Sequence, residues 1–383
     1  MYTADDYEAA IAFLIGRLDR VHDFYIRRLA KRLLAIRDDE DAADLALLMA
    51  DIYQDIADVQ RLLADTIGIC SRDVADIMEN VLKDALHDTS FKAALEASGR
   101  APEEIRPAVD EIAEEAARTS AATLRNLSGT TVVSRTYRDA VDRAITAVRG
   151  RREGYREAVS RIIEDAGSEG LQVQYASGAR RRLDSAARMN LITSINKASV
   201  EINLRIGEEL GYDAIELSAH ADSAPDHEPV QGRVFMRDEF DKMQTGQDCM
   251  DIDGRVFAGF PRPIGEWNCR HLPFAFSTRF SKRTWTDAQL DDLAAQNAAG
   301  CMIGGRHFSG YEAMCRMRRI ETDIRRMKDR GKACEIAGDP DGQRACQRRI
   351  NALEVRYSQT CAAAGRKPSW RRAEVSGYHR VKV

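Results

Sequence analysis

The chain has 383 residues, 44% hydrophobic and 31% charged, with a net charge of −4; this fits a folded protein of two or three domains and excludes a disordered chain. No run approaches the roughly 18 consecutive apolar residues of a membrane span. The opening MYTADDYEAAIAFLIGRLDR places acids ahead of a short apolar patch, so no export signal is expected.

Residues 1–128 read as a helical N-terminal domain. Ile11, Leu14, Ile15, Leu18 and Val21 recur at three- and four-residue steps, as do Leu45, Leu48, Met49, Ile52 and Ile56. Ser71-Arg72-Asp73 and Asp88-Thr89-Ser90 are expected to cap further helices, and NLSGTT (126–131) to break the run. This domain is acidic, with 15 Lys and Arg against 26 Asp and Glu. A helical connector (129–168) follows, hinged near Gly150.

Residues 169–282 predict a central α+β module. Leu171, Val173 and Tyr175 alternate with polar neighbours as in a strand, and Ser177-Gly178 turns the chain. Arg180, Arg181 and Arg182 are expected to be a solvated charge run. Asp184 opens a long helix that ends near Leu210, with Gly211 as its C′ residue. Ile215 and Leu217 form a short strand that delivers His220 to its end.

Residues 283–383 predict a basic C-terminal helical hairpin. Thr286 and Ser309 start helices, and Met314, Met317, Ile320, Ile324 and Met327 form a packing seam. AGDPDG (337–342) turns the chain, and Cys346, Ile350, Leu353 and Tyr357 continue the stripe. His307 is expected to precede a helix without special duty. Residues 300–383 carry 19 basic against 9 acidic side chains, which fits nucleic acid, an acidic protein surface or the acidic end of the same assembly. The expected fold class is therefore α+β and mainly α-helical: long N-terminal helices, a small central module with short strands, and a C-terminal hairpin.

Eight cysteines without CxxC spacing predict reduced thiols, not a disulfide framework. One of them belongs to a dense constellation. SAHADSAPDH (218–227) holds His220 and His227 around a proline-containing turn, and EWNCRHLPFAF (266–276) holds Cys269 and His271. Spaced i and i+2, the last two share one face of an extended strand. One thiolate and three imidazoles could bind zinc tetrahedrally through His220, His227, Cys269 and His271, with Asp222 and Asp226 as ligands or supporting partners. Cys269 beside a histidine could instead be a nucleophile with its base, or two histidines and an acid could cleave RNA. No phosphate loop, GxSxG or HExxH accompanies them. A hydrogen-bonded lock, in which the histidines, Trp267 and Arg270 fasten two loops, is the simplest of the three readings.

These residues resemble the phage minor capsid protein 2 family, whose pattern joins a SAH…SH…QG segment to a later WNCRH. His220, His227, Gln231, Gly232, Trp267, Asn268, Cys269, Arg270 and His271 fall on those motif positions. FSGYEAMCRMRRIETDIRRMKDR (308–330) is similar to the family's tail helix through Tyr311, Glu312, Arg318, Glu321, Ile324 and Arg325, and VSGYHRV (375–381) is similar as well. The likeness covers most of residues 125–383. It departs at Val230, where an aromatic is common, and at Asp226, where a small polar residue is usual. The resemblance implies a virion structural protein of a tailed bacteriophage, made in the host cytoplasm. It would be a minor head component that associates with portal and other capsid proteins. Packaged double-stranded DNA is a further expected partner, through Arg316, Arg318, Arg325, Arg326, Lys328 and Arg330. The alternative is a phage-delivered enzyme, RNase-like or transferase-like, working at the His/Cys cluster.

Overall fold

The computed structural model describes residues 4–35, 42–87, 102–133, 135, 137–140, 143, 155–266 and 269–383. The apolar periodicity of the first third produces three long helices: α1 (Ala4–Ala35), α2 (Ala42–His87) and α3 (Pro102–Thr130). Ile11, Leu14, Leu18, Tyr25, Leu29 and Leu33 of α1 are buried against Ile52, Val59, Leu63, Ile67 and Val74 of α2. The expected cap at Ser71 does not interrupt α2. The Ser71 hydroxyl donates back to the Ile67 carbonyl at 2.8 Å, which lets a serine sit inside a helix without starting a new one. The second expected cap, at 88–90, and most of the connector's first helix lie outside the described residues. Near NLSGTT the hydroxyls of Thr130 and Thr131 take the carbonyls of Asn126 and Leu127, and α3 ends there.

The rest is α+β and mainly helical, as expected. Helix α4 (Tyr155–Glu169) leads into the antiparallel pair β1 (Gln172–Gln174) and β2 (Arg180–Arg182), which turns at Gly178. Helix α5 (Leu183–Glu209) follows directly and ends before Gly211. A three-stranded antiparallel sheet then orders β3 (Ala214–Leu217) between β4 (Val234–Met236) and β7 (Pro273–Phe276). Helix α6 (Arg237–Gln244) and the small pair β5 (Cys249–Met250) and β6 (Val256–Phe257) fill the crossover. Their core is Ile215, Leu217, Val230, Phe235, Phe240, Met243 and Phe260.

Helix α7 (Asp287–Ala299) and helix α8 (Gly310–Ala337) each open on a full capping box, Thr286 with Gln289 and Ser309 with Glu312. Between them lies a hairpin that went unread in the sequence, β8 (Cys301–Ile303) and β9 (Arg306–Phe308). Its tip is Gly304-Gly305, both at positive φ, the turn chemistry a two-residue hairpin demands. His307 lies on β9, its Nε2 2.9 Å from the Ala299 carbonyl. Gly338 ends α8 in a left-handed conformation, and Asp339 with Pro340 starts α9 (Pro340–Ala363). The two helices close on Met317, Ile320, Ile324, Ile350, Leu353 and Tyr357. Among the described residues no helix is long and apolar enough to cross a membrane.

The tail is welded to the body. A Cβ on Gly167 of α4 would lie 2.6 Å from the Ala333 Cβ of α8, so this crossing needs glycine. Beside it, Arg182 binds Asp329 at 2.5 Å and Asp184 at 3.1 Å, and Arg325 binds Asp184 at 3.0 Å. Arg325 also donates to the Arg372 carbonyl and the Ser185 hydroxyl. Burial alone would raise the Asp184 carboxyl, but Arg182 and Arg325 hold it well below the usual carboxylate range. Lys332 reaches Asp23 of α1 and the Ser376 carbonyl, while the Ser376 amide donates to Asp19 at 3.0 Å.

Removing one member of a buried pair strands the other. Arg325→Ala should therefore lower stability in urea unfolding by about 3–5 kcal/mol, whereas Arg326→Ala, one residue along and exposed, should change it by less than about 0.5 kcal/mol. Asp19 provides a pH test. Burial and the neighbouring Asp329 carboxylate push its carboxyl up to about 7. The fold thus keeps a proton that the unfolded chain releases near pH 4 (roughly). That contribution is complete at low pH and is lost as pH rises from about 4 to about 7. Unfolding curves of Asp19→Asn should lack this component, and parallel pH profiles for the two proteins would refute it.

Candidate functional site

The two motif segments meet because β3 and β7 pair. Leu217 stands opposite Pro273, the Ser218 amide donates to the Leu272 carbonyl, and the Leu272 amide donates to the Ser218 hydroxyl, both at 2.8 Å. Residues 224–231 then form tight turns in which the Gln231 amide reaches the His227 carbonyl. This carries His227 over the segment ahead of β7 that bears Cys269 and His271; the strand expected to hold these two residues begins only at Pro273, and they lie in irregular chain before it.

Three side chains converge. His227 Nδ1 is 3.2 Å from Cys269 Sγ, and His271 Nδ1 is 3.4 Å from the same sulfur. His227, His271 and Cys269 are 0%, 2% and 6% exposed. Each ring is oriented from its far side. His227 Nε2 lies 2.8 Å from the Arg262 carbonyl. His271 Nε2 lies 3.3 Å from both Gln231 Oε1 and Ser223 Oγ. Gln231 Oε1 also accepts the His220 amide at 3.0 Å, and the Ser223 hydroxyl donates to the Ala224 carbonyl. Burial pulls the His227 imidazole down and pushes the Cys269 thiol up. Burial, with His220 and His227 nearby, pushes His271 down to about 2.

His220 stands apart from this trio. Its ring stacks on His271 at 4.4 Å, and its Nδ1 is 3.0 Å from Asp222. Asp222 is 3% exposed and binds Arg270 at 2.7 Å and Arg366, from the end of α9, at 3.1 Å. Burial opposes its charge, but His220, Arg270 and Arg366 keep its carboxyl well below the ordinary range. Asp226 pairs with Arg262 through both oxygens, at 2.7 and 3.1 Å. Gly232 adopts φ +66°, and a methyl group there would run into Leu290. Trp267 and Asn268 lie outside the described residues.

Sequence reasoning missed the outer supports. Asn297 on α7 donates to the Ser223 carbonyl and to Glu228, and accepts the Tyr311 amide at the start of α8. No local pattern marks that asparagine, since its partners lie in distant segments. Ser223 was in view within SAHADSAPDH and Arg262 lies four residues ahead of EWNCRHLPFAF, yet nothing in their spacing assigned them to the rings. The tail-motif residues serve the hairpin. Glu312 completes a cap, Ile324 is core, and Glu321 accepts from Arg318, Arg372 and the Tyr357 hydroxyl.

The expected DNA stripe is not a free surface. Arg325 is buried on Asp184, Arg318 pairs with Glu321, and Arg330 pairs with Glu164 at 2.9 Å. Lys328 donates to the Ala373 carbonyl. Arg316 lies over the Phe308 ring at 4.9 Å. Arg326 is exposed, but it lines a cleft with Asp165, Glu169 and Asp323. A helix that packs on two sides has to neutralise its charged side chains internally.

The family model described as phage minor capsid protein 2 matches residues 25–359, and the chain belongs to that family. No curated protein and no solved structure matches it.

The burial pattern can be checked chemically. Cys301 and Cys315 are partly exposed, and the other six cysteines are buried. A bulky maleimide should therefore label Cys301 and Cys315 in the native protein, and Cys269 only after denaturation. Native labelling of Cys269 would mean that the cluster is open to reagents.

Proposed function

We propose that this phage minor capsid protein is a structural component of a tailed-phage head that joins portal or capsid proteins and rests against packaged DNA. The observation that carries the reading is the family match across residues 25–359. The welded body supports it, because a rigid adaptor suits a component fitted between other proteins. The enzymatic alternative needs a cleft beside its reacting groups, yet His227 and His271 are 0% and 2% exposed.

On this reading DNA contact falls to a basic group that shares only Arg316 with the expected stripe. Arg306 on β9, Arg319 on α8 and Arg356 on α9 lie near Arg316 of α8. Arg306 and Arg316 sit over the Phe308 ring at 5.2 and 4.9 Å. Partial burial and repulsion from Arg356, Arg306 and Arg319 lower the Arg316 guanidinium, and its Nε has no hydrogen-bond partner. Arg306, Arg319 and Arg356 are exposed. A concentration of positive charge of this kind is relieved by phosphates, without any reading of sequence.

Two measurements test the proposal. Mass spectrometry of purified particles should find the protein in far fewer copies than the main shell protein, and its absence from particles would refute the structural role. Binding to random duplex DNA should weaken as salt rises. Replacing Arg306, Arg319 and Arg356 by alanine should flatten the log–log salt slope by about 0.9 per lost phosphate contact. An unchanged slope would remove DNA from this face.

A further inference from the structure

The hydrogen bonds of the central cluster aim the Nδ1 atoms of two histidines at one sulfur. His227 Nε2 faces a carbonyl, which can only accept, so that nitrogen carries the ring's proton. His271 Nε2 faces Ser223 Oγ and Gln231 Oε1, an amide oxygen that accepts the His220 amide and is matched by a protonated ring nitrogen. That nitrogen is also a donor. Both Nδ1 atoms therefore present lone pairs, and both present them to Cys269 Sγ, at 3.2 and 3.4 Å. One thiol has one hydrogen and can satisfy one of them. The other contact sets lone pair against lone pair in a site with 6% exposure or less, where an unmet polar group is costly.

A cation at the centre removes the conflict. Two imidazole nitrogens and a thiolate are a donor set suited to zinc. With Zn–S near 2.3 Å and Zn–N near 2.0–2.1 Å, a tetrahedral N···S edge is about 3.6 Å. The two observed separations fall a few tenths of an ångström inside that length. The far-side partners, a backbone carbonyl for His227 and an amide oxygen for His271, are the supports that ligating histidines use to fix their tautomer. The three donor atoms lie within 4.8 Å of one another.

We propose that His227 Nδ1, Cys269 Sγ and His271 Nδ1 bind a zinc ion that clamps the 218–231 loop to the residues just ahead of β7. Water takes the fourth position. His220, stacked outside the trio and turned to Asp222, is not a ligand. The other cluster of this kind among the described residues, Glu164, Cys334 and Asp339, has its carboxylates taken by Arg330 and by the Gly342 amide and is not assigned a metal.

Elemental analysis of the full chain, made in zinc-supplemented medium, tests this. About one zinc per chain is expected in the wild type, and the same in His220→Ala and Cys334→Ser. Less than about a tenth of that is expected in Cys269→Ala. Should Cys269→Ala fail to fold, cobalt substitution of the wild type gives a second readout, with a thiolate-to-cobalt charge-transfer band expected. A folded, zinc-free wild type overturns the proposal, as does full zinc retention in Cys269→Ala or loss of zinc in His220→Ala. Because incorporation into particles is measured separately, a zinc-free protein found in particles would end the metal assignment and leave the virion role standing.

Discussion

A charge removed from water must be paired, and that constraint organises the joint between tail and body. Asp184 sits at the first turn of α5, where Arg182 precedes it and Arg325 arrives from α8. None of the three can be moved alone without leaving a buried ion unmatched. Their geometry therefore fixes the angle at which the hairpin meets the central module. Arg182 extends the same network to Asp329, one turn further along α8. The apolar contacts on either side, Ala333 against the N-terminal core and Ile324 within the hairpin, add area, but area without direction would not choose a register.

The motif region uses a different device. Its two segments are joined first by backbone pairing of β3 with β7 and then by side chains that order outward in layers. The His227, Cys269 and His271 trio is innermost. Gln231, Ser223 and the Arg262 carbonyl hold its rings, and Asp222 and Asp226 neutralise Arg270, Arg366 and Arg262 around it. Arg366 and Asn297 bring α9 and α7 to the outer layer, so the module and the tail also touch here. Even the Gln-Gly pair has a division of labour: the glutamine holds the His271 ring and the His220 amide, and the glycine supplies a left-handed turn under Leu290.

Local patterns in the sequence translated well. The steps of α1, the alternation at Leu171–Tyr175, and the starts at Thr286 and Ser309 all depend on neighbours within four residues. What escaped was non-local. Nothing near Arg325 reveals that its partner is 141 residues away, so the arginines of the tail looked available to DNA. Nothing near Asn297 shows that it spans three segments. Ser71 misled for a related reason: a serine can cap a helix or bond back within one, and its surroundings decide. The β8–β9 hairpin is the exception, since Gly304-Gly305 between alternating residues was a local signal and was legible.

The basic tail spends some of its charge on the fold. Part of its surplus of positive charge is met inside the chain, because Arg325, Arg330 and Lys332 pair with Asp184, Glu164 and Asp23 of the body. Part of the opposite charge of the two ends is used as cohesion: Asp23 of α1 meets Lys332 of α8. On the proposed reading, the charge left for DNA is the group around Arg316, about four phosphate contacts at most. Such a group loses roughly a hundredfold in affinity between 50 and 200 mM salt. A contact that weak and that salt-sensitive can lie beside a genome without retaining it, which is the behaviour a head component needs if DNA is to move past it.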